Sequence, residues 1–100
     1  MTGGSASPVT LDSGQRYNKL MKFYYTYVLK SIKDQKLYIG STGDIKERFK
    51  AHNQGEVKST KNRRPFNLIY FEACQDKKQA EKREKYFKTG YGRKFLRDRI

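Results

Sequence analysis

Large apolar and aromatic residues fall in short runs separated by polar stretches, and they begin abruptly near Met21. Phe23 to Leu29 is aromatic and β-branched, which suits a strand packed on a pleated surface. Lys36 to Gly40 is a second strand after polar residues that include Asp34-Gln35, so the two predict a hairpin. In a hairpin whose loop holds an even number of residues, facing positions sum to an odd number, and Tyr27 and Tyr38 then share one face of the sheet. Gly43-Asp44 punctuates the chain and opens a helix to about Asn53, with Ile45, Arg48, Phe49 and His52 on one arc and Arg48 at its edge. Gln54 to Pro65 is polar, carrying Lys58, Lys61, Arg63 and Arg64 against the single acid Glu56. Asn67 to Cys74 is again strand-like. Asp76 and Gln79 have the spacing of a capping box, and the helix they open is expected to end near Gly90, a natural C-cap residue. A third short helix over Tyr91 to Ile100 adds Arg93, Lys94, Arg97 and Arg99. No internal repeat is present.

One hundred residues fit one domain with a small core. Met1 to Leu20 is rich in Gly, Ser and Thr, has few large apolar residues and shows no period. It is expected to be a disordered tail, with the folded domain over residues 21–100. The net charge of +13 favours a polyanionic partner, because phosphates attract Lys and Arg and release counterions on binding. Nucleic acid is preferred to a membrane, since no apolar run approaches the ~20 residues of a spanning helix. No secretory signal pattern opens the chain. Cys74 is the only cysteine and lies in an apolar run, so it forms no internal disulfide and fits a packing role in a reducing, cytoplasmic setting.

Few residues could carry chemistry. At 100° per residue, Phe87 falls about 20° to one side of Ala80 and Glu84 about 40° to the other, which places this carboxylate on the apolar face while Glu81 points away. An acid at a core-facing edge is costly unless a cation meets it, so Glu84 is a ligand candidate. A plain ion pair with Lys88 is the ordinary alternative. Arg48 fits a solvated helix flank, and His52 a packed imidazole, a phosphate contact or a general base. Tyr27 and Tyr38 read as core or edge aromatics by default.

The order of these residues resembles the GIY-YIG nuclease superfamily: Tyr25-Thr26-Tyr27, ten intervening residues, Tyr38-Ile39-Gly40-Ser41, then Arg48, His52-Asn53 and a later helix with Glu84. The resemblance spans about Lys22 to Ile100 and is closest to small standalone bacterial proteins related to the nuclease module of excision-repair enzymes. Tyr25 and Thr26 replace Gly and Ile of the first motif. Leu96 stands where several members have an asparagine near the active site.

The resemblance implies an α+β fold, a three-stranded antiparallel sheet flanked by helices, with Tyr27, Tyr38, Arg48, His52 and Glu84 around one shallow site. It implies a metal-dependent endonuclease acting on nucleic acid, DNA before RNA, in repair or recombination. A single divalent cation, Mg²⁺ with Mn²⁺ as the alternative, would be held by Glu84, and Arg48 would neutralise charge on the phosphoryl oxygens. Tyr27 is expected as the general base, with Tyr38 beside it and His52 as its rival. Gly40 and Ser41 are expected on the substrate side, Gly40 leaving room for close approach. Lys58, Lys61, Arg63 and Arg64 would grip the backbone outside the site. A noncatalytic nucleic-acid-binding module with the same fold is the alternative. A further alternative is an interaction domain for an acidic surface, and no protein partner is indicated.

Overall fold

In the computed structural model the described residues are 21–100, and the expected tail over 1–20 lies outside them. The chain runs β1 (Tyr24–Ser31), β2 (Leu37–Thr42), α1 (Ile45–Asn53), a 3₁₀ turn (Lys61–Arg63), β3 (Phe66–Cys74), α2 (Lys77–Phe87) and α3 (Gly90–Arg97). The strands form one antiparallel sheet in the order β2-β1-β3. This is the expected α+β architecture.

β1 is central and covered on both faces, which is why Thr26 to Leu29 are all buried without alternation. Its register with β2 pairs Tyr27 with Gly40 and Leu29 with Tyr38, so the two phenols share a face as the hairpin arithmetic requires. A bulge beside Val28 and Leu29 shifts the pairing with β3, from Val28 opposite Tyr70 to Leu29 opposite Leu68.

Each face has its own small core. On one, Tyr27, Leu29 and Phe66 pack with Tyr38 and Leu68 and with Ile45 and Phe49 of α1. On the other, Val28 and Ile39 pack against Phe87 of α2 and Leu96 of α3, with Phe95 and Tyr70 around them. Leu96 is 1% exposed, so this position is part of the core. Arg83 ties the second face together. Its guanidinium bonds both oxygens of Glu72 at 2.8 and 3.0 Å and lies over the rings of Tyr86, Phe87 and Phe95.

Two helix starts are capped by the aspartates that the sequence marks: Asp44 accepts from the Glu47 amide, and Asp76 from the Lys78 amide in place of the Gln79 amide of a capping box. The end of α2 differs. It closes at Phe87 with Lys88 as C-cap, and Gly90 instead begins α3 behind the N-cap Thr89. The glycine that this corner requires is Gly92, buried where a Cβ would overlap the Tyr86 carbonyl. No helix among the described residues is long and apolar enough to cross a membrane.

Candidate active site

Tyr27 projects from the middle of the central strand toward the β2 edge, and its ring lies over Gly40. A Cβ at position 40 would sit 2.5 Å from the phenol oxygen. The room expected at Gly40 is therefore filled by a side chain of this protein. The ring is held from α1, where His52 Nε2 lies 2.9 Å from the Tyr27 hydroxyl. Tyr38 flanks both, its ring 5.0 Å from the imidazole and 6.5 Å from Tyr27.

His52 is fully buried, and both ring nitrogens are engaged: Nδ1 lies 2.8 Å from Thr60 Oγ1. Burial first, and the nearby charge of Arg48 second, lower its pKa from 6.5 to about 4, so the imidazole is neutral at neutral pH. Burial raises the pKa of Tyr27, and the Arg48 guanidinium opposes this by favouring the phenolate. It does so without completing a hydrogen bond of ordinary geometry. A neutral, buried phenol must donate, and its partner is His52 Nε2. The network thereby assigns the proton of His52 to Nδ1, which donates to Thr60, whose hydroxyl turns to the Val57 carbonyl 3.4 Å away. Tyr27, His52 and Thr60 form one chain of proton donors.

Glu84 approaches from the opposite face of the sheet. Ser41 follows Gly40 and, by strand alternation, points to the α2 side, where its Oγ donates to Glu84 Oε1 at 2.7 Å. The two sets of residues adjoin at the edge strand β2, Gly40 under the Tyr27 ring and Ser41 next to it against Glu84. The Glu84 carboxylate is close enough to add to the raised pKa of Tyr27. The ion pair with Lys88 is also present, Nζ to Oε2 at 3.0 Å, so the two readings of Glu84 hold together. The Glu84 side chain keeps 25% of its surface exposed.

No group of three or more His, Cys, Asp or Glu side chains among the described residues could enclose a metal ion. A lone carboxylate fits a hard cation that keeps most of its ligands as water and phosphate oxygens. Glu84 has that chemistry, each oxygen retaining acceptor capacity beyond its one hydrogen bond.

The basic loop divides. Lys58 and Lys61 are exposed. Arg63 is engaged within the fold: it bonds both oxygens of Asp34 at 2.8 and 3.3 Å and the Lys36 carbonyl at 3.1 Å, and so staples the loop to the hairpin turn. That pairing holds the Asp34 carboxyl well below the usual carboxylate range. Arg64 donates to the Lys61 carbonyl, and its guanidinium packs against Gly55, whose φ is +79°. Thr60 carries no sequence signal, since a threonine in a polar loop looks exposed until the loop is seen folding back over His52.

The profile of the family described as "GIY-YIG catalytic domain" matches residues 23–97. Among curated proteins, the chain is similar to UPF0213 protein CPE1444 of Clostridium perfringens (strain 13 / Type A), 46% identical over 65 residues, covering 64% of this chain and 69% of that protein. It is similar to UPF0213 protein YazA of Bacillus subtilis (strain 168), 44% identical over 66 residues, covering 65% of this chain and 66% of that protein. A UPF0213 protein of Staphylococcus aureus (strain Mu3 / ATCC 700698) is 40% identical over 78 residues, covering 77% of this chain and 94% of its own length. The chain spans about two thirds of the first two relatives. No solved structure gives a significant match.

Proposed function

This chain belongs to the GIY-YIG nuclease family, and from that premise we propose that it is a metal-dependent endonuclease hydrolysing phosphodiester bonds of nucleic acid, DNA first. The observation that carries the proposal is that adjacent residues of one edge strand serve the two faces: Gly40 seats the phenol bonded to a buried neutral imidazole, and Ser41 bonds the Glu84 carboxylate. Glu84 would hold the divalent cation, Mg²⁺ or Mn²⁺. Such a cation supplies Lewis-acid stabilisation of the phosphoryl oxygens and acidifies water.

The chain's own residues divide the remaining work. Arg48 faces the same site and neutralises charge growing on the phosphate, a role whose loss costs on the order of 10²–10³ in rate. Tyr27 accepts the proton of the attacking water while its own proton passes to His52 Nε2, so the two act in series. This reading replaces the rivalry expected between them, because the fully buried imidazole reaches the reaction only through the phenol. Water forms the new P–O bond, the ester P–O bond breaks, and the leaving alkoxide is protonated from solvent. His52 returns that proton through the Tyr27 hydroxyl to solvent after the ester bond breaks, which closes the proton balance. Lys58 and Lys61 contact backbone phosphates outside the site.

The test is cleavage of labelled single-stranded, duplex, flap and branched DNA, and of RNA, with Mg²⁺ or Mn²⁺, by the wild type and by Glu84→Gln. Cutting by the wild type alone, with binding retained in the variant, is expected. Wild-type turnover by Glu84→Gln would remove Glu84 as the ligand.

A further inference from the structure

The sheet face that carries Tyr27 is only half covered. Ile45, Phe49 and His52 of α1 lie over Tyr27, Leu29, Tyr38 and Phe66. Farther along the same face, Tyr25, Phe71 and Ala73 follow, and Phe71 is 50% exposed. Phe71 is the cross-strand partner of Tyr27, so it is the next side chain beyond the site on that face. Tyr25 meets it edge-on, with centroids 5.9 Å apart and planes at 64°. Beside Tyr25 opens a cleft of about 470 Å³, bounded by Lys22 and Phe23 on one side and by Gly43, Asp44 and Lys46 on the other. Two of its charges are engaged: Lys22 donates to the Gly43 carbonyl, and Asp44 caps α1. Lys46 keeps the rim positive.

An aromatic pair with one ring half-exposed and the other partly buried has one ordinary reading, an apolar residue left on the surface. Here three features coincide: two rings, an adjoining cleft with a cationic rim, and direct continuity with Tyr27. The net charge of +13 selects a polyanion, and the component of a polyanionic strand that presents a π-face is the nucleobase. A fully paired base has both faces occupied by stacking and cannot use such a surface.

We propose that Tyr25 and Phe71 form a stacking platform for one unpaired nucleobase of the strand whose phosphate lies at Tyr27 and Arg48. The position of that phosphate rests on the endonuclease reading. The base comes from a single strand or from an unpaired position within a duplex. Stacking confers affinity with little sequence preference, so the site recognises unpaired structure and leaves base identity unread.

The test is binding of short labelled strands in excess EDTA, so that binding is read without cleavage. A base-bearing strand is compared with an abasic strand of equal length and charge, and a perfect duplex with one carrying a single bulged base. The wild type is expected to bind the base-bearing strand roughly tenfold or more tightly than the abasic one. Phe71→Leu and Tyr25→Leu remove most of that difference and leave abasic binding and the salt slope unchanged, whereas Phe71→Tyr restores it. Loss on the bulged duplex as well as the single strand assigns the base to any unpaired site; loss on the single strand alone assigns it there. Equal wild-type affinity for base-bearing and abasic strands would overturn the platform, as would wild-type base preference in Phe71→Leu. Either result leaves the endonuclease reading standing. Failure of the wild type to bind any strand would remove that premise and the platform with it.

Discussion

Tyr27 lies across Gly40, its partner on the neighbouring strand, so closely that a Cβ at position 40 would fall 2.5 Å from the phenol oxygen and 2.7 Å from Cζ. The glycine therefore sets where the hydroxyl sits. Gly40→Ala forces the ring off its site against His52 on one side and Tyr38 on the other. The expected cost is about 1–3 kcal/mol of stability, as for overpacked cores, together with a loss of cleavage. Chemical denaturation and turnover measure the two, and an alanine variant matching the wild type in both would show that the ring moves freely.

His52 makes folding pH-dependent in a definite direction. Its pKa is about 4 in the folded chain against an ordinary 6.5. The unfolded chain binds the proton first, so the neutral imidazole's contribution is complete above pH 6.5 and is lost as pH falls through about 4. That interval corresponds to about 3 kcal/mol. Denaturation of the wild type and His52→Gln at neutral and acid pH isolates it: the wild type loses more on acidification. Equal losses in both proteins would contradict a buried neutral imidazole.

Thr60 acts through His52. Thr60→Val keeps the shape but leaves Nδ1 of a fully buried imidazole without a partner, at a cost of about 1–3 kcal/mol. It also releases the tautomer that lets Tyr27 donate to Nε2. Cleavage by Thr60→Val is expected to fall and its pH profile to shift, with Thr60→Ser restoring both. A valine variant of wild-type stability and pH profile would remove Thr60 from the network.

The proposed function assigns the exposed Lys58 and Lys61 of the basic loop to phosphate contact, while Arg63 is engaged within the fold. Lys58→Gln and Lys61→Gln are each expected to lower the slope of log affinity against log salt by roughly one, on every sequence alike. Arg63→Ala is expected to lower Tm by roughly several degrees, because it opens the staple to Asp34 and the hairpin carbonyls. Its salt slope should change little. A large slope change without destabilisation would reassign Arg63 to the phosphate contacts.

The hairpin, the shared face of Tyr27 and Tyr38 and the first two helices were legible because each rests on local signals: β-branched runs, the parity of strand pairing and aspartate caps. Helical phase placed Glu84 on the face that packs to the sheet, and that face holds Ser41. The sequence could not show that Tyr27 and Glu84 are neighbours across the β2 edge, since they lie on opposite sides of the sheet and are served by the consecutive residues Gly40 and Ser41. Thr60 and Arg63 were illegible for a related reason. Both lie in a polar loop, and only its fold over α1 and the hairpin turn buries one and engages the other. Gly90 was misplaced as a C-cap because a glycine after a helix suits either role, and the Thr89 cap decides it.

The central claim is that the Tyr27 hydroxyl moves the proton of the attacking water. Tyr27→Phe keeps the ring over Gly40 and removes only that oxygen, so single-turnover cleavage at saturating enzyme with Mg²⁺ or Mn²⁺ reads the group directly. The account predicts a fall on the order of 10²–10⁴ in rate, with nucleic-acid affinity and its salt dependence unchanged. Cleavage by Tyr27→Phe at the wild-type rate would contradict it.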